Sequence, residues 1–341
     1  MDTPSRHVAD PLPFGDTETR STVDGPDADE GLEAVLHWFR QQPNVAGRFG
    51  EVLRQSIDEV LDGQRTGRFD IDTLASTEKT YLGTKVEIVA RAEFDLGQGN
   101  RMDYLVAGYE VDAKFTSGTR SGNRGRRTFN WTIPLEAMGH ICLLMQADDR
   151  NSTFRVGLIR ITDRALNEGE NRDRKKSLSQ AGRAAIRWIV AEGQLPRNLL
   201  LGQSNETIQV IFGTSNDSRR SDRQSSGQSR TNELFRQVQE ELVDRNTLVT
   251  VASQADGLKR ARDARKFLAP QGILVLGHQN DHPRIARALN LPVPTKGSFV
   301  AVRLGLALPG DPRPHVVIDG TRYVAFREDE GDLPTTAPDS Y

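Results

Sequence analysis

The sequence predicts a mixed α/β fold of the α+β type, divided between two domains. Its 341 residues exceed the roughly 100–200 residues that one compact core usually takes. Apolar residues at helical spacing dominate residues 31–61, and short apolar runs typical of buried strands follow from residue 102 onward. Residues 191–198 contain a glycine and a proline and are predicted to be the linker.

The two ends of the chain lack any apolar periodicity. Residues 1–30 are rich in Asp, Pro, Thr and Gly, and residues 329–341 have a similar composition. Segments that cannot bury enough apolar surface do not fold, so we predict two disordered tails. The first domain then spans residues 31–190 and the second spans residues 199–328.

The first domain begins with helical patterns and continues with strands. Two helices are predicted between Gly31 and Leu61, ending at Asp62-Gly63, which is a helix-end signal. The remaining predicted elements are a helix over Thr80–Phe94, strands over Met102–Ala107, Glu110–Phe115, Ile141–Met145 and Phe154–Ile161, and a charged, mostly helical stretch over Asn171–Arg187. Gly108-Tyr109 is predicted to form the tight turn of a hairpin.

The second domain has weaker patterns. One amphipathic helix is predicted to carry apolar residues from Leu234 to Val243, and a basic helix covers Leu258–Leu268. A further helix is expected over Pro283–Asn290, with strands at Gly272–Gly277 and Phe299–Leu304. His278, Asn280 and His282 are too compact for an HNH nuclease and lack further zinc ligands nearby, so a helix-entry turn is the favoured interpretation.

The composition excludes some classes of protein. The longest apolar run, Ile141–Met145, is far shorter than the roughly 20 residues of a membrane span. The single cysteine, Cys142, lies inside that run, so it is predicted to fill the core, in a cytoplasmic protein. The net charge is −2, but residues 114–127 hold five positive charges and no negative one. Such local charge can attract a polyphosphate.

The predicted hairpin carries a pattern that suits phosphodiester hydrolysis. With a turn at Gly108-Tyr109, Leu105 pairs with Asp112 and Asp103 with Lys114, so Asp103, Asp112 and Lys114 share one face of the sheet. Carboxylates can hold Mg²⁺, a lysine can orient the attacking water, and the Ala113 carbonyl could complete the metal shell. The alternative interpretation is a cross-strand ion pair between Asp103 and Lys114.

The Asp-x-Lys spacing alone is weak evidence, because the chain has a second copy. Asp173-Arg174-Lys175 has the same spacing. No apolar strand accompanies this copy, and its neighbours are charged, so it is interpreted as a solvated, helix-like surface.

Several blocks of sequence resemble the NaeI-type restriction endonucleases, between about Leu36 and Arg303. The blocks in the first half are Asp62-Gly-Gln-Arg-Thr-Gly-Arg68, Thr77-Glu-Lys-Thr-Tyr-Leu-Gly-Thr84, Val86-Glu-Ile88, the Asp103…Asp112-x-Lys114 hairpin and Gly139-His-Ile-Cys-Leu143. Those in the second half are Asn198-Leu-Leu-Leu201, Asn232-Glu-Leu-Phe-Arg236, Gly277-His-Gln279 and Leu291-Pro-Val-Pro-x-Lys-Gly297.

The resemblance implies a type II restriction endonuclease that cleaves double-stranded DNA. Its catalytic domain would have a mixed central sheet with flanking helices, with Asp103 and Asp112 as Mg²⁺ ligands and Lys114 beside the attacking water. The family's further acidic residue falls on Glu87, which periodicity alone would leave as an exposed residue. The second domain would resemble the winged helix-turn-helix of catabolite-activator proteins. It would bind a second copy of a GC-rich palindromic site, and the enzyme would be a homodimer.

DNA contacts are expected from two basic regions. The segment after Lys114 is longer than the family norm, which is a departure, and its arginines either grip phosphate or are solvated; they are Arg120, Arg124, Arg126 and Arg127. In the second domain the candidates are Lys259, Arg260 and Arg262 on the basic helix, and Lys296. The rival functions are a non-catalytic DNA-binding regulator and a DNA-repair nickase.

Overall fold

A computed structural model describes residues 29–120, 127–213 and 226–326, together with residue 338. The two tails predicted to be disordered therefore lie almost entirely outside the described residues, as do Arg124 and Arg126. Within the described ranges, no helix is both long enough and apolar enough to cross a membrane.

The first half begins with helices, as predicted. They are α1 (Glu30–Arg40), α2 (Val45–Leu61), α3 (Gly63–Thr66) and α4 (Ser76–Phe94). The Asp29 carboxylate caps α1 by accepting the Leu32 N–H at 2.9 Å. α2 ends at Leu61, and Asp62, the first residue of the predicted helix-end signal, adopts the left-handed conformation. α4 starts four residues earlier than predicted, because the Glu78 side chain accepts the Ala75 N–H at 2.8 Å and caps the helix.

The strands that follow are short, apart from four strands of eight residues each. They are β1 (Gly97–Gln98), β2 (Tyr104–Val106), β3 (Tyr109–Thr116), β4 (Thr119–Arg120), β5 (Arg127–Thr128), β6 (Thr132–Ile133), β7 (Ile141–Asp148), β8 (Thr153–Arg160), β9 (Leu166–Glu170), β10 (Lys176–Leu178) and β11 (Arg187–Gln194). Six of them form one sheet in the order β1-β2-β3-β7-β8-β11. β3 and β7 run parallel and the other neighbours run antiparallel, so the sheet is mixed, as the resemblance implies.

Both faces of this sheet are buried, because alternating side chains of its central strands belong to two different cores. Along β7, Leu143 belongs to the core under the helices, whereas Cys142 and Leu144 belong to a second core that includes Trp131 and Ile161. A small sheet, β6-β10-β9, contributes to that second core. Because β7 is covered on both sides, it is a continuous apolar run.

The prediction of a mostly helical stretch over residues 171–187 was wrong. β10 lies in the small sheet, and the only helix in that stretch is α5 (Gln180–Ala184). β11 then continues to Gln194, opposite Thr153 of β8, so the first part of the predicted linker is strand. Residues 171–175 instead form an exposed turn, and a charged composition is common to exposed turns and to solvated helices, so it misled the prediction.

The second half alternates helices and strands. Its elements are α6 (Asn205–Phe212), α7 (Gly227–Gln237), β12 (Leu242–Val243), α8 (Arg245–Ala252), α9 (Gly257–Leu268), β13 (Ile273–Leu276), α10 (His282–Ala288), β14 (Phe299–Leu306), β15 (His315–Ile318) and β16 (Thr321–Ala325). β14 is central, pairing with β12, β13 and β16. The predicted helix up to Val243 ends earlier, at Gln237, and the β15–β16 hairpin had not been predicted.

The two halves contact each other around α3. The Phe69 and Phe212 rings stack with their centroids 6.0 Å apart, and the Asn198 side chain donates to the Phe69 carbonyl at 2.7 Å. A Cβ on Gly63 would lie 2.2 Å from Thr250 Oγ1. The absence of a side chain at Gly63 therefore lets α3 pack directly against α8.

Candidate active site

The β2–β3 hairpin places the candidate residues, but with a turn one residue earlier than predicted. Ala107 and Gly108 form the turn with φ of 51° and 85°, the two positive values that a type I′ turn requires. Leu105 therefore pairs with Glu110 instead of Asp112. This shifts the register by two residues, and because side chains alternate with a period of two, the side chains of the paired strands keep their predicted faces.

Lys114 pairs with Asp112, not with Asp103. Its ammonium group donates to Asp112 Oδ1 at 2.7 Å and to the Ala113 carbonyl at 2.9 Å. Within the described part of the chain, Asp103 and Lys114 form no cross-strand ion pair, because Lys114 pairs with Asp112. Asp112 is only 6% exposed, and the buried Cys142 thiol on the neighbouring parallel strand donates to Asp112 Oδ2 at 3.4 Å. A buried charge of this kind needs such partners.

Asp103 lies just before β2 and reaches back to the β3 backbone. Its Oδ2 accepts the Ala113 N–H at 2.7 Å. Burial raises the pKa of Asp103, although that hydrogen bond opposes the rise, and the neighbouring Asp112 carboxylate raises it further. Asp103 and Asp112 therefore share one electrostatic environment.

Glu87, on α4, faces the same cluster. Burial raises its pKa, and the Asp103 carboxylate adds to that rise, while Arg91 and Lys114 oppose it. Periodicity alone placed this side chain in solvent, but it is half-buried because α4 packs beside β3. The structure thus brings together residues from a helix, a loop and a strand: Glu87, Asp103, Asp112 and Lys114.

The oxygen atoms at this site suit a hard divalent cation. Mg²⁺ is usually held by one or two carboxylates and completed by water and substrate phosphate. Asp112 and the Ala113 carbonyl already accept hydrogen bonds from one cation, the Lys114 ammonium group. As the side chains stand in the described part of the chain, no three His, Cys, Asp or Glu groups converge on one metal position. Two carboxylates with a carbonyl are nevertheless a sufficient donor set for Mg²⁺.

Three residues near the site were missed as contributors. Arg91 donates to the Asp103 carbonyl at 2.8 Å and lies 3.4 Å from Glu87 Oε1. Glu110 accepts backbone N–H groups just before Asp103. The Tyr104 hydroxyl donates to the Glu87 carbonyl at 2.9 Å. Only Arg91 offered a sequence signal, because it stands four residues after Glu87 on one helix face.

The arginines after Lys114 do not form one uniform group. Arg127 is held inside the protein: its guanidinium is 4% exposed and donates to both carboxylate oxygens of Asp72 at 2.7 Å. This pairing corrects the picture of Arg127 as a solvated or phosphate-gripping side chain. The backbone of Arg120 ends β4, whereas Arg124 and Arg126 lie outside the described residues.

The basic residues of the second half are distributed over α9 and the loop before β14. Lys259, Arg262 and Lys266 are exposed along α9, and Lys296 is exposed in the loop. Arg260 instead pairs with Asp256 at 3.1 Å and with the Gln254 side chain at 2.9 Å.

His282 stands at the start of α10, as the interpretation of a helix-entry turn expects. It is buried, and its Nδ1 accepts the Gly277 N–H at 3.0 Å. Burial lowers the pKa of His282 to about 4, and the nearby Arg265 contributes to that effect. The imidazole is therefore neutral at neutral pH, and its role here is to hold a turn.

Two comparisons with known proteins bear on the whole chain. A family model described as "Restriction endonuclease NaeI" matches residues 34–334. "Type II restriction enzyme NaeI" from Lentzea aerocolonigenes is 39% identical over 299 residues, which cover 86% of this chain and 90% of that protein. Both matches span the acidic cluster and continue through the second half.

Proposed function

We propose that this chain, which belongs to the NaeI family of type II restriction endonucleases, cleaves both strands of DNA with Mg²⁺ held by Asp103 and Asp112. Its family makes it a site-specific deoxyribonuclease. The observation that carries the metal proposal is the closeness of the Asp103 and Asp112 carboxylates beside Lys114, with Glu87 facing them from α4. Such perturbed, clustered carboxylates are typical of functional sites.

Each residue has a distinct task in this proposal. Mg²⁺, when bound, neutralises charge on the phosphate oxygens and acidifies a bound water. Asp103 and Asp112 would hold it, with Glu87 as a further acidic ligand. Lys114 lies at the same cluster, so its ammonium group can orient the attacking water and stabilise charge as it develops. Ala113 contributes through its backbone, since its N–H fixes Asp103 and its carbonyl faces Lys114.

We also propose that the second half is a winged helix-turn-helix domain. In support, α7, β12, α8, α9, β13 and β14 follow one another in the order of that fold, and β14 lies between β12 and β13. The turn between α8 and α9 is tight, since a Cβ on Gly257 would lie 2.9 Å from the Leu248 carbonyl carbon. α9 then takes the place of the recognition helix.

Exposed cations favour α9 as the element that meets DNA. Lys259, Arg262 and Lys266 are spaced to lie near one face, and Lys296 would add a contact from the loop before β14. Arg260 is held by Asp256, so we expect it to support the helix end and to contribute less to DNA binding. In the first half, Arg120, Arg124 and Arg126 would grip phosphate, while Arg127 anchors that segment to Asp72.

The remaining proposals concern assembly and target. Cleavage of both strands at a palindrome is simplest with two active sites, so we propose a homodimer. The second domain would bind a second copy of the GC-rich site, and the enzyme would work in the cytoplasm, where it meets DNA. The first domain proposed, residues 31–190, continues to the end of β11 at Gln194, and the second spans residues 199–328. The family membership leaves no support for the rival function of a non-catalytic regulator.

A plasmid digest tests the central proposal. Full-length protein is incubated with methylated and unmethylated plasmid in Mg²⁺, in Ca²⁺ or in EDTA, and the fragment ends are sequenced. We expect discrete double-strand breaks at one GC-rich palindrome in Mg²⁺, and DNA binding without cleavage in Ca²⁺. Equal cleavage in EDTA would refute the metal proposal, and nicks on one strand alone would favour a nickase.

A further inference from the structure

The residues just before Asp103 are not held by regular strand pairing. The Asp103 segment, residues 100–103, connects β1 to β2, and the ladder between those strands covers only Gly97–Gln98 and Tyr104–Leu105. The backbone N–H groups of this segment have no ladder partner, so the other partners that they bond to fix its conformation. The direction of the Asp103 carboxylate therefore depends on those partners.

Glu110 supplies the partners for three consecutive backbone N–H groups of the Asp103 segment. Its Oε1 accepts from Asn100 at 2.6 Å, and its Oε2 accepts from Arg101 at 2.9 Å and from Met102 at 2.7 Å. Glu110 stands on β3, opposite Leu105 and two residues before Asp112. One carboxylate thus ties the Asp103 segment to the strand that carries Asp112 and Lys114.

Arg91 holds the other end of the Asp103 segment. Its Nη2 donates to the Asp103 carbonyl at 2.8 Å and is 3.4 Å from Glu87 Oε1, one helical turn earlier on α4. The guanidinium lies over the Tyr104 ring, 5.6 Å from its centroid. The same arginine therefore links the backbone of Asp103 to the helix that carries Glu87.

We propose that Glu110 and Arg91 are positioning residues for DNA cleavage, fixing the Asp103 segment so that the Asp103 carboxylate meets Asp112. The inference rests on the proposed role of Asp103 as a metal ligand. Neither residue needs to touch the metal or the DNA. Arg91 acts through a hydrogen bond to the Asp103 carbonyl, and Glu110 acts through hydrogen bonds to the backbone of the three residues before Asp103. Outer partners commonly orient metal ligands.

The test measures Mn²⁺ binding to the full-length protein by electron paramagnetic resonance, without DNA. The variants are Glu110→Ala, the isosteric Glu110→Gln, and Arg91→Lys. We expect Glu110→Ala to weaken Mn²⁺ binding by roughly 10–100-fold, the usual effect of losing an outer partner. Glu110→Gln keeps one acceptor oxygen and should give a smaller loss, and it also decides the matter should Glu110→Ala fail to fold.

A matched control separates positioning from general damage. Glu59→Gln removes a carboxylate that pairs with Lys85 of α4 but does not touch the Asp103 segment. It should leave Mn²⁺ binding unchanged. In cleavage assays, the Glu110 variants should need more Mg²⁺ for half-maximal rate and recover at high Mg²⁺, because the ligand itself is intact.

Asp103→Ala makes the possible failures distinguishable. Wild-type Mn²⁺ binding by Asp103→Ala would overturn the proposed ligand set, and this inference with it. Loss of Mn²⁺ binding by Asp103→Ala, together with wild-type binding by Glu110→Ala, Glu110→Gln and Arg91→Lys, would overturn the positioning roles alone.

Discussion

Asp112-Ala113-Lys114 and Asp173-Arg174-Lys175 have the same spacing of acid and lysine but different surroundings. The first lies on β3, where Asp112 is buried and paired with Lys114. The second occupies the exposed turn between β9 and β10, closed by the Asn171 side chain, which accepts the backbone N–H groups of Asp173 and Lys175.

The two segments differ in backbone conformation, and this decides where their charged side chains point. On a strand, residues two apart share a face, so Asp112 and Lys114 point together and Ala113 points into the core. In the turn, Arg174 adopts a left-handed φ of 56°, and no strand or helix collects the charges on one side. The prediction that this second copy is solvated is confirmed, although it stands in a turn and not in a helix.

The largest contrast is expected from the two aspartates. Asp112→Asn should lower the cleavage rate by roughly 10³-fold, since a metal ligand contributes several kcal/mol in the transition state. Asp173→Asn should cleave at the wild-type rate. DNA binding in EDTA should survive in both variants. Cleavage rates on plasmid, under single-turnover conditions, provide the measurement, and equal rates for the two variants would remove Asp112 from the site.

The middle residues of the two motifs, Ala113 and Arg174, should differ in how much a substitution changes the free energy of unfolding. Ala113 is 9% exposed and packs in the main core, so Ala113→Arg would bury an unpaired charge at a cost of roughly 4 kcal/mol. Arg174→Ala changes an exposed residue and should leave stability within about 0.5 kcal/mol. Urea denaturation of both variants checks this. A stable Ala113→Arg protein would show that β3 does not present this face to the core.

The lysines should differ by a smaller factor. Lys114→Met removes the cation beside Asp112, and loss of such a group typically costs about 10²-fold or more in rate. Lys175→Met should have no effect on the rate constant at low salt. Measuring rates across Mg²⁺ concentrations separates a role in the chemical step from one in metal binding. A Lys114→Met defect that saturating Mg²⁺ removes would assign Lys114 to metal binding alone.

The smallest contrast concerns stability without metal. The raised pKa of Glu87 means that its ionised form opposes folding, chiefly through burial and then through Asp103. Glu87→Gln should therefore stabilise the metal-free protein at pH 8, by less than about 1 kcal/mol because the partly exposed side chain is screened.

That gain should depend on pH with a defined sign. As pH falls through the raised pKa of Glu87 towards the ordinary glutamate value, wild-type Glu87 takes up a proton and the penalty disappears. The gain from Glu87→Gln should shrink accordingly. Thermal unfolding in EDTA, measured from pH 8 down towards the ordinary glutamate pKa, would show it. A gain that grows on acidification would contradict the sign.

The sequence determined the local elements of this protein and the faces of its central hairpin. Helical spacing placed α1 and α2, and the apolar runs placed β7 and β8. Asp112 and Lys114 kept their predicted shared face despite an incorrect register, because the error was two residues and side-chain direction repeats every two. Such regularities depend only on residues that are close together in the sequence.

Tertiary structure alone decided the partners of those elements. The packing of α4 beside β3 brought Glu87 to the site. Two aspartates were predicted near Lys114, and only the folded structure decided that Lys114 pairs with Asp112 and not with Asp103. The same holds for Arg127, which a distant Asp72 withdraws from solvent. Contacts between residues far apart in the chain depend on how the faces of helices and sheets pack. The sequence around a charged residue does not indicate which oppositely charged residue it will pair with.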